Sequence, residues 1–257
     1  MPRRVPFHPD ADAVVADLAD AIAGVLGTDL TALWVAGSLV VGDFDPDLSD
    51  IDMFAVTPAA PTPDQLEALR AMHERFAQTH PAWNDRIEAV YFTAPDLRDF
   101  RHAVPRFPVT SPGEPFNVRN DALIDWAQEL SLIRTHGVTL HGALPTEVIP
   151  AVTRDEFIDN CLRYVREIAP RADAPLRAGM ESYLVLTAAR ALHAFEGGPQ
   201  RSKRAAGLWL ADAYPQWASL ADLALTWRYE ASRTPRPASP CTAPFLRFIE
   251  ARMSHTT

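Results

Sequence analysis

The chain of 257 residues is long enough for one large domain or two ordinary ones. With 47% apolar and 22% charged residues it can bury a substantial core. Its net charge of −9 argues against a nucleic-acid partner, which needs clustered Lys and Arg, and suits a cationic small substrate. The two cysteines, Cys161 and Cys241, stand far apart in no metal-like spacing, so no disulfide framework is expected. No apolar run reaches membrane length, and "MPRRVPFHPDADAV" holds no apolar signal region. A cytoplasmic chain without a membrane partner is expected.

In chain order, "DADAVVADLADAIAGVL" sets Val14, Leu18, Ile22 and Leu26 on one face, an amphipathic helix ending before Gly27. "LTALWVAG" reads as a short buried strand closed by glycine, and "DIDMFAV" as a second strand. Thr62 and Pro63 supply an N-cap and a first-turn proline for a helix to about His80. "RIEAVYF" is a third strand. The proline-rich segment 93–120 reads as an irregular loop, followed by a helix from Asp121 to about Arg134 and a short "GVTLHG" piece.

After Pro150 the pattern is helical. Thr153 with Glu156 forms a capping-box signature. Helices are expected near Arg154–Ile168, Pro175–Phe195, Lys203–Tyr214, Leu220–Ser232 and Pro244–Met253, with "SRTPRPASP" as a connector within this part. The organisation is an α/β part, residues 1–150, followed by a helical part, residues 151–257. Trp209, Trp217 and Trp227 read as core residues. The histidines show no zinc spacing.

"VAGSLVVGDFDPDLSDIDMFAV" carries the chemistry. Asp50 and Asp52, two apart on a strand, project to one side. Adjacent carboxylates raise one another's proton affinity unless a cation lies between them, and Mg²⁺ shared with substrate phosphates is the usual answer. Gly37 lets the backbone approach a ligand, and Ser38 with neighbouring amides can hold phosphate oxygens. Ser49 adds a hydroxyl. Glu88, the acidic residue inside "RIEAVYF", could face the aspartates if its strand lies beside theirs, as a metal ligand or as the base that takes a hydroxyl proton. Such a site suits transfer at phosphorus. Asp43, Asp45 and Asp47 read as a solvated acidic loop.

Gly-Ser, Ser-Asp-x-Asp and a later strand carboxylate match the nucleotidyltransferase pattern. Within that superfamily the chain resembles aminoglycoside O-adenylyltransferases of the streptomycin/spectinomycin type. "ESYLVLTAARALHAFEGGPQRSKRAAGLWL" and "WAQELSLIRTHGVTLHG" with Asp125 extend the likeness over roughly residues 11–231. The resemblance implies an α+β protein: a mixed-sheet nucleotidyltransferase domain and a C-terminal helical bundle. It implies ATP and Mg²⁺ at Ser38, Ser49, Asp50 and Asp52, and Glu88 as catalytic base. It further implies nucleotide contacts from Asp125, Arg190, Lys203 and Tyr229. The acceptor would be a hydroxyl of a cationic aminoglycoside or aminocyclitol, modified by a monomer. Streptomycin-accepting members carry an acid just before the position of Glu181; here Met180 stands there, and the loop holding Phe116 has no Trp. Spectinomycin is therefore the expected acceptor, with Phe116 beside it and Glu181 either binding a substrate amine or pairing with an Arg. Alternatives are another small molecule, a protein side chain or an RNA end as acceptor, as in toxin–antitoxin partners, or an inactive nucleotide-binding module.

Overall fold

The computed structural model describes residues 6–230 and 234–254 and divides into two compact units, residues 1–152 and 153–257. In the first unit, α1 (Asp12–Leu26) buries Val14, Leu18, Ile22 and Leu26, and the chain leaves it through Gly27 at a φ of 54°. Then follow β1 (Ala32–Val35), a single turn α2 (Ser38–Val41) and β2 (Ile51–Thr57). Helix α3 (Pro63–Thr79) opens on a capping box: the Gln65 amide donates to Thr62 Oγ1 and the Thr62 amide to Gln65 Oε1. It buries Leu69, Met72, His73 and Phe76, one stripe at helical spacing.

β3 (Ile87–Thr93) leads into α4 (Ala94–Arg98). The segment expected to be an irregular loop instead continues as β4 (Arg106–Ser111) and β5 (Glu114–Asn120), an antiparallel hairpin turning through Gly113 at a φ of 78°. Proline does not obstruct it. β4 pairs with β3 only at Val109 and Thr110, so Pro108 owes that ladder no N–H, and Pro115 stands on the sheet's edge strand. A 3₁₀ turn (Leu123–Trp126), α5 (Ala127–His136), β6 (Val138–Gly142) and α6 (Pro145–Val148) complete the unit.

The six strands form one mixed sheet in the order β5-β4-β3-β2-β1-β6, with β2 and β3 parallel and the other neighbours antiparallel. Ile51, Met53 and Ala55 pack with residues of α1 and α3 in one core; Trp34, Phe54, Val56, Val90 and Phe92 pack with residues of 94–149 in another. The two cores cover the two faces, as strand alternation requires. Trp34 is wholly buried and its indole N–H donates to the Ala143 carbonyl at 2.8 Å, so its polar edge is not left unsatisfied.

His73 is 8% exposed; its Nε2 and the Tyr91 hydroxyl share a 2.6 Å hydrogen bond. Burial holds the imidazole down from its ordinary 6.5 to about 4 and pushes the Tyr91 hydroxyl up. The folded state therefore keeps His73 neutral while the unfolded chain takes a proton as pH falls below 6.5. The contribution to stability is complete above that pH and is lost progressively towards pH 4, by about 3 kcal/mol in all. Urea unfolding between pH 4.5 and 7.5 is expected to show a shallower pH slope for His73→Gln than for the wild type. Equal slopes would clear the imidazole of responsibility.

The second unit holds α7 (Arg154–Ile168), α8 (Ala178–Phe195), α9 (Lys203–Ala213), α10 (Ala218–Trp227) and α11 (Thr242–Ser254). Helix α7 starts on the Thr153–Glu156 capping box. α8 is buried around most of its circumference, as befits a helix packed against all four others. Gly207 of α9 permits close approach, since a Cβ there would stand 2.8 Å from Leu186 Cδ2. Trp227 is a core residue at 8% exposed, while Trp209 and Trp217 are half-buried and pack against that core, Trp217 on Phe245 at 5.3 Å. Helix α10 ends at Trp227, and the expected extension to Ser232 falls partly in 231–233, outside the described residues, as does the start of the connector. Among the described residues no helix is long and apolar enough to cross a membrane.

Candidate active site

The site is built where β1 ends and β2 begins. Gly37 has φ 67° and ψ −151°, a conformation essentially restricted to glycine. A Cβ at Gly37 would lie 1.6 Å from Asp52 Oδ2, so the Asp52 carboxylate occupies the space a side chain would need. The Ala36 amide donates to the Asp52 carbonyl at 3.0 Å, fixing the two segments together. β3 lies beside β2 in parallel, and the register sets Asp52 opposite Glu88. Registered side chains on neighbouring strands share a face about 4.8 Å apart. Both acids are half-buried, at the point where the apolar pavement of Phe54, Val56, Val90 and Phe92 gives out. Asp50, also half-buried, directly precedes β2.

The loop before Asp50 is ordered by its own polar groups. The Asp45 amide donates to Ser49 Oγ at 2.9 Å, the Ser49 amide to the Asp45 carbonyl at 2.8 Å, and the Asp47 amide to Asp45 Oδ1 at 3.0 Å. Asp45 is thus a turn-forming residue, not merely solvated, and the buried Ser49 uses its oxygen within the loop. Phe44 stacks on Trp83, with centroids 6.2 Å apart. Arg86, just before β3, grips the end of this loop: its Nε donates to the Ser49 carbonyl at 3.0 Å and its Nη2 to the same oxygen. A lone Arg before a strand carries no motif, and sequence reading passed it over.

Among the described residues, no group of three or more His, Cys, Asp or Glu is placed to hold a metal ion by itself. The fit is for a shared ion. Hard carboxylate oxygens stand beside a glycine turn that admits a ligand close to the backbone, the setting in which Mg²⁺ takes one or two carboxylates and completes its shell with phosphate oxygens and water.

The remaining candidates are distributed as follows. Asp125 is exposed in the 3₁₀ turn beside Trp126, whose ring packs edge-on to Phe92 and Phe107 at 5.5 Å. Phe116 is only 6% exposed and sits in the core of the α1/α3 face, stacked on His73 at 5.6 Å. That is the face opposite Asp52 and Glu88, and its ring is a packing element. In the second unit Arg190 is half-buried on α8. Lys203 holds its ammonium 4.6 Å over the Tyr183 ring, and the Tyr229 hydroxyl accepts from Arg204 Nη2 at 2.9 Å.

Glu181 is wholly buried. Its carboxylate accepts from Arg236 Nη1 at 2.8 Å, the Ser239 amide at 2.6 Å and Thr242 Oγ1 at 2.6 Å. Of the two readings left open by the sequence, pairing with an Arg is the one the structure bears out. The acid ties 236–242 to α8, and the Arg236 guanidinium also stacks on Trp227 at 4.7 Å.

Residues 147–239 match the family described as aminoglycoside adenylyltransferase, C-terminal domain. No curated protein matches the chain. Among solved structures, the spectinomycin adenyltransferase AAD(9) from Enterococcus faecialis, crystallised with ATP and spectinomycin, matches with a TM-score of 0.72 at 15% identity. The match covers 94% of this chain and 98% of that one. The resemblance read from the motifs thus holds in both comparisons: residues 147–239 are similar in sequence to the C-terminal domain of aminoglycoside adenylyltransferases, and the chain is similar in fold to a spectinomycin adenyltransferase.

Proposed function

We propose that the protein is a Mg²⁺-dependent nucleotidyltransferase that moves AMP from ATP to a hydroxyl of an aminocyclitol of the spectinomycin type. The observation that carries this reading is the Asp52–Glu88 register with the Asp52 carboxylate lying against Gly37. The family match over 147–239 and the AAD(9)-like fold support it. Asp50 and Asp52 would hold the ion with the triphosphate, and bound there it offsets charge developing on the phosphate oxygens. Gly37 admits the nucleotide's phosphates close to the chain and Ser38 offers them its hydroxyl. Glu88 accepts the acceptor's hydroxyl proton. The freed oxygen forms its bond to the α-phosphorus as the bond to the β-phosphate oxygen breaks, and pyrophosphate leaves.

Asp125, Arg190, Lys203 and Tyr229 are assigned to nucleotide contact on the resemblance, the two cations suiting a triphosphate. Phe116 and Glu181 are left out of acceptor recognition, because both side chains are committed to packing and internal hydrogen bonds. The acidic balance suits a cationic acceptor, and we assign the chain to the cytoplasm as a monomer. Pyrophosphate release with ATP and Mg²⁺ is expected with spectinomycin and not with streptomycin. Turnover with streptomycin alone, or with neither drug, would refute the assignment of acceptor.

A further inference from the structure

We propose that Arg86 is a positioning residue for Asp50, holding both peptide units that flank it; the inference rests on the metal-and-nucleotide reading given above. The Ile51 amide donates to the Arg86 carbonyl at 2.9 Å. From the other side of Asp50, Arg86 Nε donates to the Ser49 carbonyl at 3.0 Å, and Nη2 reaches the same oxygen. One residue thus grips the backbone immediately before and immediately after the aspartate. Arg86 is itself held: its amide donates to the Trp83 carbonyl at 3.1 Å, and its guanidinium lies 4.3 Å over the ring of Trp83, which is 8% exposed.

The arrangement has a definite consequence for the carboxylates. Asp50 lies one residue outside β2, where no strand ladder fixes its backbone. Without the guanidinium, the Ser49 carbonyl would lose its charge-assisted donors, and the peptide that leads into Asp50 would be held less firmly. Arg86 also stands two residues before Glu88, so the grip locks the start of β2 to the start of β3 at the level where the acids meet. Charge-assisted donation from a planar, stacked guanidinium is stronger and more directional than a Lys ammonium can supply.

The test is the affinity of Mn²⁺·ATP, read by the electron paramagnetic resonance of Mn²⁺, for wild type, Arg86→Met, Arg86→Lys and Asp50→Asn. Amide hydrogen exchange of residues 45–52 is measured in parallel on the nucleotide-free proteins. Arg86→Met is expected to weaken Mn²⁺·ATP binding by about 10–100-fold and to speed exchange at Ile51, with Arg86→Lys falling between it and wild type. Wild-type affinity in folded Arg86→Met, beside a weakened Asp50→Asn, would overturn the positioning role and leave the metal site standing. Should Arg86→Met not fold, wild-type affinity and exchange in Arg86→Lys would overturn the role equally. Wild-type affinity in Asp50→Asn would instead show that the metal reading itself has failed, and Arg86 would have nothing to position.

Discussion

Glu88→Gln is expected to lower kcat with spectinomycin by about 10²–10⁴-fold, the range over which a positioned general base contributes, while leaving the KM for Mg²⁺·ATP close to wild type. Glutamine keeps the shape of the side chain and replaces the basic carboxylate on which the proposed role depends, so the strand register with Asp52 should survive. Steady-state pyrophosphate release checks the expectation, and its pattern also separates the two roles open to Glu88. If Glu88 is a metal ligand rather than the base, the loss moves into the KM for Mg²⁺·ATP and into Mn²⁺ affinity. A kcat within a few-fold of wild type would remove Glu88 from the chemistry altogether.

The second large effect belongs to a residue with no functional group. Gly37→Ala is expected to abolish measurable turnover, through two independent penalties. The backbone conformation alone costs a side-chain-bearing residue on the order of 1–3 kcal/mol. The new methyl would also stand 1.6 Å from Asp52 Oδ2, so either the carboxylate swings away or the turn opens. Gly42 supplies the control. It too has a positive φ, 72°, but a Cβ there meets nothing within 4 Å. Gly42→Ala should therefore carry a strain cost of about 1–2 kcal/mol with turnover retained. Thermal unfolding and pyrophosphate release measured on both variants distinguish strain from loss of the acid's position. Equal activity in the two would show that the contact at Gly37 does not matter.

Local chemistry decides how much of this was readable in the sequence. Helices α3 and α7 were legible to within a residue or two because caps, first-turn residues and apolar spacing all lie inside the segment itself. The hairpin β4–β5 was missed because proline reads as a loop former, and whether a proline N–H is needed depends on which strand comes alongside. The Gly-Ser and Asp-x-Asp spacing drew attention to the site, but the register opposing Asp52 and Glu88 depends on how β2 and β3 pair, which the chain's own pattern leaves open. Glu181 shows the limit most clearly. Its partners Arg236, Ser239 and Thr242 lie 55, 58 and 61 positions away, beyond any motif. Phe116 failed for the same reason: alternation along an edge strand, not the aromatic character of the residue, decides which face its ring joins.

The complete burial of the Glu181 carboxylate among three donors bears, on the proposed reading, on how acceptor range could change. A guanidino-bearing antibiotic would find that acid shut away from solvent, and substituting it would loosen its own tether before altering selectivity. Met180, its neighbour, is 40% exposed and free of such duties, so a carboxylate introduced there would cost the scaffold little. Tolerance and novelty are thereby split between adjacent positions: one preserves architecture, the other is open to adaptation.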